Sequence, residues 1–282
     1  MLEMLLSPRM AERKPWSMFF VGLIYASLAV LLVNWIFASD SVLSKYMGVL
    51  VVTFTVMFSM PFMYYLIKGE EEKEEDAKSM GFFREHKKPI LGLLFLFLGF
   101  VVAFSFWYIV LGNTQSFQAQ IETYCAVNHN ANFDSCVNQY STEGMKTTAN
   151  AIGKERVLMI FYNNIYVLIF TLIFSLIFGA GAIFILAWNA SVIAAAVGIF
   201  VKSDIAHLPI GISRYMIHGL PEIAAYFIGA LAGGIISVAI IRQAKNEKFW
   251  KIMQDSLNLI IAAIIILFLA ALIEVFVTPR LF

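Results

Sequence analysis

Seven apolar runs, at about residues 17–37, 46–67, 90–111, 163–187, 190–202, 218–241 and 256–277, constrain this 282-residue chain more than any other feature. About 20 apolar residues make a helix that crosses the hydrocarbon core of a bilayer, and six of the runs reach that length. The composition agrees. With 60% hydrophobic and 14% charged residues, the chain has more apolar side chain than a soluble domain can bury. In lipid every backbone polar group must be satisfied internally, and runs of this length do so as helices. The expected fold is all-α: a polytopic bundle of about seven spans, multi-pass in the cell membrane. The first run follows Arg9, Arg13 and Lys14 and ends in a weak cleavage-like "IFAS", but its length is that of a span and not of a signal peptide.

The fourth and fifth runs need a break between them. Unbroken, residues 163–201 would form a helix of about 58 Å, against a core of about 30 Å. Trp188-Asn189 is the expected turn, which leaves the fifth span short. Lys and Arg concentrate on the cytoplasmic side of short loops. With the N-terminus inside and seven spans, Arg9, Arg13, Lys14, the six cations of 68–89, and Arg242, Lys245, Lys248 and Lys251 all lie inside, 13 of the 20. A six-span count would put "RQAKNEKFWK" outside. The expected topology is therefore N-terminus in and C-terminus out.

Three parts follow along the chain: a three-span part, 1–111, with its cytoplasmic charged loop 68–89; an extracytoplasmic loop, 112–162; and a four-span core, 163–282. The run "GEEEKEEDAK" reads as a solvated extension of a helix, since its mixed charges fall at helical spacing. The loop is poor in aliphatic residues and holds both cysteines, Cys125 and Cys136. On the outer side of a membrane they are expected to pair as a disulfide. A metal site with His129 is the alternative, but two Cys and one His fall short of a closed tetrahedral site.

Within the sixth run Gly219, Ala225, Gly229, Gly233 and Ser237 are small, and the last four repeat every four residues, a stripe that admits a neighbouring helix. Glu222 shares that face, so its carboxylate is expected to meet protein. His218 stands a turn earlier, and Pro221 falls where a helix beginning at 218 would have its first turn. Glu274, near the end of the seventh run, would lie at the depth of Glu222 on an antiparallel neighbour. Asn163, Asn164, His207 and Arg214 complete an expected outer-leaflet cluster.

Carboxylates, amides and cations placed together satisfy one another and fix how helices pack, as buried polar groups must. A divalent metal on His218, Glu222 and Glu274 is the sharper alternative. No HExxH, nucleophile elbow, Walker loop or dinucleotide fingerprint is present, and "GAGAIF" inside a span reads as helix packing. No cofactor and no catalytic residue are expected. A net charge of +1 argues against a nucleic-acid partner.

The order "FYNN", Asn189, "HGLPE" and "IEVFVTP" resembles the stage II sporulation protein M family of integral membrane proteins, over roughly residues 155–282. The front, "MLEMLLSPRMAERKPWSMFF" and the next two spans, resembles the archaeal branch of that family. The resemblance implies that Asn163, Asn164, Asn189, His218, Gly219, Glu222, Glu274, Thr278 and Pro279 are signature positions. It also implies a non-enzymatic scaffold that recruits envelope-remodelling proteins. A transporter or channel that uses the intramembrane Glu and His residues is the alternative. The stripe at Ala225, Gly229 and Gly233 is expected either to pack within one subunit or to seat a second copy in a homodimer.

Overall fold

The computed structural model describes residues 14–76, 82–112, 114–128, 136–137, 153–178, 182–201, 204–241 and 246–281. Among them the regular elements are all helical. The long helices are α1 (Ser17–Phe37), α2 (Met47–Asp76), α3 (Phe82–Leu111), α4 (Gln118–Asn128), α5 (Gly153–Phe178), α6 (Ala182–Phe200), α7 (Leu208–Ile241) and α8 (Asn246–Leu272). A π-helical turn, Ile273–Val277, and a last α-helical turn, Thr278–Leu281, prolong α8. Seven helices are long and apolar enough to cross a membrane. They carry apolar residues on both faces, because in lipid an outward side chain need not be polar; Trp35, Phe106, Ile177 and Phe268 all face out. Helix α2 runs on through the charged stretch to Asp76, as the charge spacing predicts.

Glycines set how closely these helices approach. A Cβ on Gly22 of α1 would strike the Leu96 carbonyl of α3, and one on Gly99 of α3 would strike the Phe19 carbonyl of α1. Backbone therefore lies on backbone at this crossing. The Tyr108 ring of α3 covers Gly198 of α6 in the same way. Helix α6 lies centrally, against α2, α3, α5 and α7, and α7 in turn packs on α5 and α8. Buried residues from both ends of the chain, among them Phe97, Phe104, Leu186 and Ile223, form one continuous apolar cluster.

The first part of the polar loop is packed into this bundle. Phe117, Ile121 and Cys125 are buried, and the Gln120 side chain, 0% exposed, points in between α2 and α6. Its Nε2 donates to the Gly48 carbonyl at 2.9 Å and to Ser191 Oγ at 3.2 Å, while the Ser191 hydroxyl donates to the Trp188 carbonyl at 2.8 Å. Cys125 and Cys136 are joined, with S–S 2.04 Å and Cα–Cα 5.8 Å. His129, of the alternative metal reading, lies outside the described residues.

Three expectations about the rear helices are corrected. The chain does not turn at Trp188-Asn189: α5 ends at Phe178 and α6 begins at Ala182, so both residues lie inside α6, and residues 179–181 lie outside the described residues. Of "GAGAIF", Ala182, Ile183 and Phe184 open α6, so the stretch is not internal to one span. Asn189 instead stays helical by donating to the Ile185 carbonyl at 2.7 Å. With 19 residues, about 28 Å, α6 is a full span. Second, α7 begins at Leu208, so Pro221 lies inside the helix and deprives the Ile217 carbonyl of its usual donor. Third, Glu222 therefore lies 14 residues into α7, about 21 Å from its start, rather than one turn in.

Two measurements follow. Gly22→Ala and Gly99→Ala should each destabilise the protein in detergent by about 1–3 kcal/mol, since a main-chain carbonyl occupies the space and overpacking outweighs the gain in helix propensity. Gly219→Ala should be neutral or stabilising, because its Cβ would meet Met216 and Ile193 at ordinary contact, 3.4 and 3.8 Å. Equal behaviour of the three variants would refute the close α1–α3 crossing. Replacing both cysteines by Ser should cost about 2–3 kcal/mol, and mass spectrometry of unreduced protein should find Cys125 and Cys136 in one linked peptide.

Candidate functional site

The small stripe of α7 determines where the polar residues meet. Gly229 lies under the Leu168 side chain of α5, and a Cβ on Gly233 would meet the Leu172 carbonyl and Ser175. The Ser175 hydroxyl donates to the Ala230 carbonyl. Ala225 and Ser237 are buried along the same packed helix. Helix α5 thus occupies the stripe inside one subunit, and the stripe is not available to a second copy.

Two turns before Gly229 the same approach brings Asn164 of α5, 6% exposed, against Glu222 of α7. Asn164 Nδ2 donates to Glu222 Oε1 at 2.6 Å. Glu222 therefore faces protein, as its shared face with the stripe predicts. Glu274 approaches from the π turn that follows α8 and lies within electrostatic reach of Glu222. The fully buried Tyr226 lies one turn beyond Glu222 on α7.

On the other side of the pair, His218 Nδ1 lies 3.3 Å from Thr278 Oγ1, and the Thr278 hydroxyl donates to the Ile273 carbonyl at 3.3 Å. That leaves the Thr278 oxygen as acceptor, so Nδ1 of His218 donates. The His218 ring stands edge-on to Tyr215, 6.2 Å between centroids. Tyr215 bonds Tyr124 of α4, which ties the polar loop to the cluster. Arg214 lies over the Phe200 ring at 4.6 Å, and its charge and that of Arg156 both reach His218. Arg156 also acts on Glu274.

The structure therefore brings together Asn164, Arg214, His218, Glu222 and Glu274 of the expected set. Asn163 and His207 are not part of it. Asn163 is exposed, about 100° round α5 from Asn164. His207 is exposed and held locally, its Nδ1 2.9 Å from Asp204 Oδ2. The Ala206 N–H, and then His207, keep the Asp204 carboxyl below its usual range. The metal reading on His218, Glu222 and Glu274 has no support: among the described residues no group of three or more His, Cys, Asp or Glu side chains could hold a metal. His218 meets Thr278 instead. Arg156, Tyr215, Tyr124 and Tyr226 join the set only in the structure. Of these, Arg156 carries a signal in the sequence, as the last charge before the fourth apolar run.

Glu222→Leu leaves the Asn164 amide unpaired and should cost about 1–3 kcal/mol, whereas Glu222→Gln keeps an acceptor in place and should cost less. In a double-mutant cycle, Asn164→Leu with Glu222→Leu should cost less than the sum of the two. Denaturation in detergent reads this directly. Unchanged stability in both single variants would show that the pair does not hold α5 to α7.

A family model described as Stage II sporulation protein M matches residues 90–279. The match begins at the apolar part of α3, ahead of the region that the sequence motifs delimit, and takes in the polar loop together with every cluster residue named above. No curated protein and no solved structure gives a match. On the strength of that match over two thirds of its length, the chain belongs to the stage II sporulation protein M family.

Proposed function

We propose that this chain is a non-enzymatic scaffold of the cell membrane that recruits envelope-remodelling partners. In this reading its N-terminus and the loop 68–89 are cytoplasmic, and α4 with its disulfide lies outside. The observation that carries the proposal is the mutual pairing of the cluster: Asn164 bonds Glu222 across α5 and α7, and His218 meets Thr278 across α7 and the end of α8. Polar groups that satisfy one another lock a bundle together, and a rigid bundle is suited to presenting a surface. The asymmetry of Lys and Arg supports the orientation.

Two observations favour the transporter reading. Pro221 lies inside α7 beside Glu222, and Glu274 lies in a π turn; π-bulged helices beside intramembrane carboxylates occur at functional sites. Proteoliposomes separate the two readings. The scaffold predicts proton and alkali-cation flux no higher than in protein-free vesicles. A flux that Glu222→Gln abolishes would replace the scaffold with a transporter. A photo-cross-linker at Ala126, exposed on α4, should in turn give reproducible adducts with envelope proteins in intact cells.

A further inference from the structure

Pairing within the cluster leaves a remainder of acceptors. Asn164 Nδ2 donates to Glu222 Oε1, but Asn164 Oδ1, Glu222 Oε2 and the Glu274 carboxylate accept no hydrogen bond from a described residue. Nor are these oxygens sealed off. The described side-chain atoms that are both sealed and unpartnered belong to Tyr25, Ser105, Trp107, Ser116, Gln120 and Ser256, so the cluster oxygens open onto accessible space. Glu222 and Glu274 are accordingly half-buried, and the Asn164 side chain is 6% exposed. The backbone adds a further acceptor, since Pro221 deprives the Ile217 carbonyl, about one turn before Glu222, of its usual donor.

Three elements deliver these oxygens. Helices α5 and α7 meet at Asn164 and Glu222, and the π turn that carries Glu274 packs on both helices. The charges are unequal. Glu222 and Glu274 stand against Arg156, which acts on Glu274. Arg214 is directed elsewhere, over the Phe200 ring and toward His218 and Tyr215. His218 places its Nδ1 on Thr278, and the charges of both arginines oppose a further positive charge on its ring. One negative charge is left over, at a depth where an uncompensated charge is expensive.

We propose that Asn164, Glu222 and Glu274 hold one monovalent alkali cation between α5, α7 and the end of α8. The donor set selects the occupant. It is all oxygen, from carboxylates and an amide, which suits a hard cation, and the single charge left over calls for a monovalent one. A proton would neutralise one carboxylate and leave the Asn164 oxygen and the Ile217 carbonyl as they are, whereas a cation engages all of these acceptors at once. Backbone carbonyls released from helical bonding coordinate sodium in other membrane proteins. Held there, the ion ties together the three elements that the polar contacts already join.

The test uses the whole protein in detergent, exchanged into choline chloride. On transfer to sodium or potassium chloride of equal ionic strength, which leaves general screening unchanged, the unfolding midpoint should rise by about 3–6 °C once the ion stands at about ten times its dissociation constant. Broadening of the sodium NMR resonance by the protein reads the bound ion without unfolding. Glu222→Gln and Glu274→Gln should each lose the rise and the broadening, and Asp255→Asn, in the first half of α8, should keep both. The wild-type measurements decide by themselves if a Gln variant does not fold. A midpoint equal in the three salts with no broadening would overturn the proposal, and so would effects that persist in both Gln variants. Binding and flux are separate measurements: an ion that binds without crossing leaves the scaffold reading in place, and an empty site leaves it untouched.

Discussion

Helices in lipid gain little by hiding apolar surface from one another, because the tails they leave are as apolar as the side chains they meet. What holds such a bundle is backbone approach, through dispersion contacts and the hydrogen bonds that short distances permit. Here that approach occurs at Gly22 with Gly99 in the front, and at Gly229 and Gly233 against α5 in the rear. The second crossing has a chemical consequence: only with α5 and α7 this close can the short amide of Asn164 reach the Glu222 carboxylate at 2.6 Å. The cluster is thus a product of the glycine stripe, not a feature added to it.

Helix α7 ties the structure together. It contacts α3, α5, α6 and α8, and it carries His218 and Glu222 to meet the end of α8 on one side and α5 on the other. Helix α4 joins the same system from the polar loop, by Gln120 between α2 and α6 and by Tyr124 on Tyr215. The loop and the spans therefore share polar contacts.

The spans were legible in the sequence because lipid imposes a single demand on each, a long apolar run, and the seven runs meet it. Breaks were less legible. Asn189 looks like a turn residue, yet its amide bonds its own helix. Pro221 looks like a first-turn residue, yet α7 starts thirteen residues before it, since lipid-embedded helices tolerate an interior proline when neighbours satisfy the freed groups. The inward face of α7 followed from the four-residue repeat of small side chains. The choice between Asn163 and Asn164 did not, because adjacent residues differ by about 100° around a helix and only the packed neighbour decides which turns inward. His207 was lost to a local competitor: Asp204, three residues earlier, holds it outside the cluster.

The π turn at Ile273–Val277 bears on how sequences of this kind can diverge. A π turn spends one residue more than an α-helix over the same arc, so deleting a single residue between Leu272 and Thr278 would restore a regular helix and leave the last turn close to its present phase. Thr278 would keep its place beside His218. The extra residue instead sets where the side chains inside the turn point, Glu274 among them. A one-residue gap placed here by an alignment would therefore signal a different setting for Glu274, with the partner of His218 unchanged.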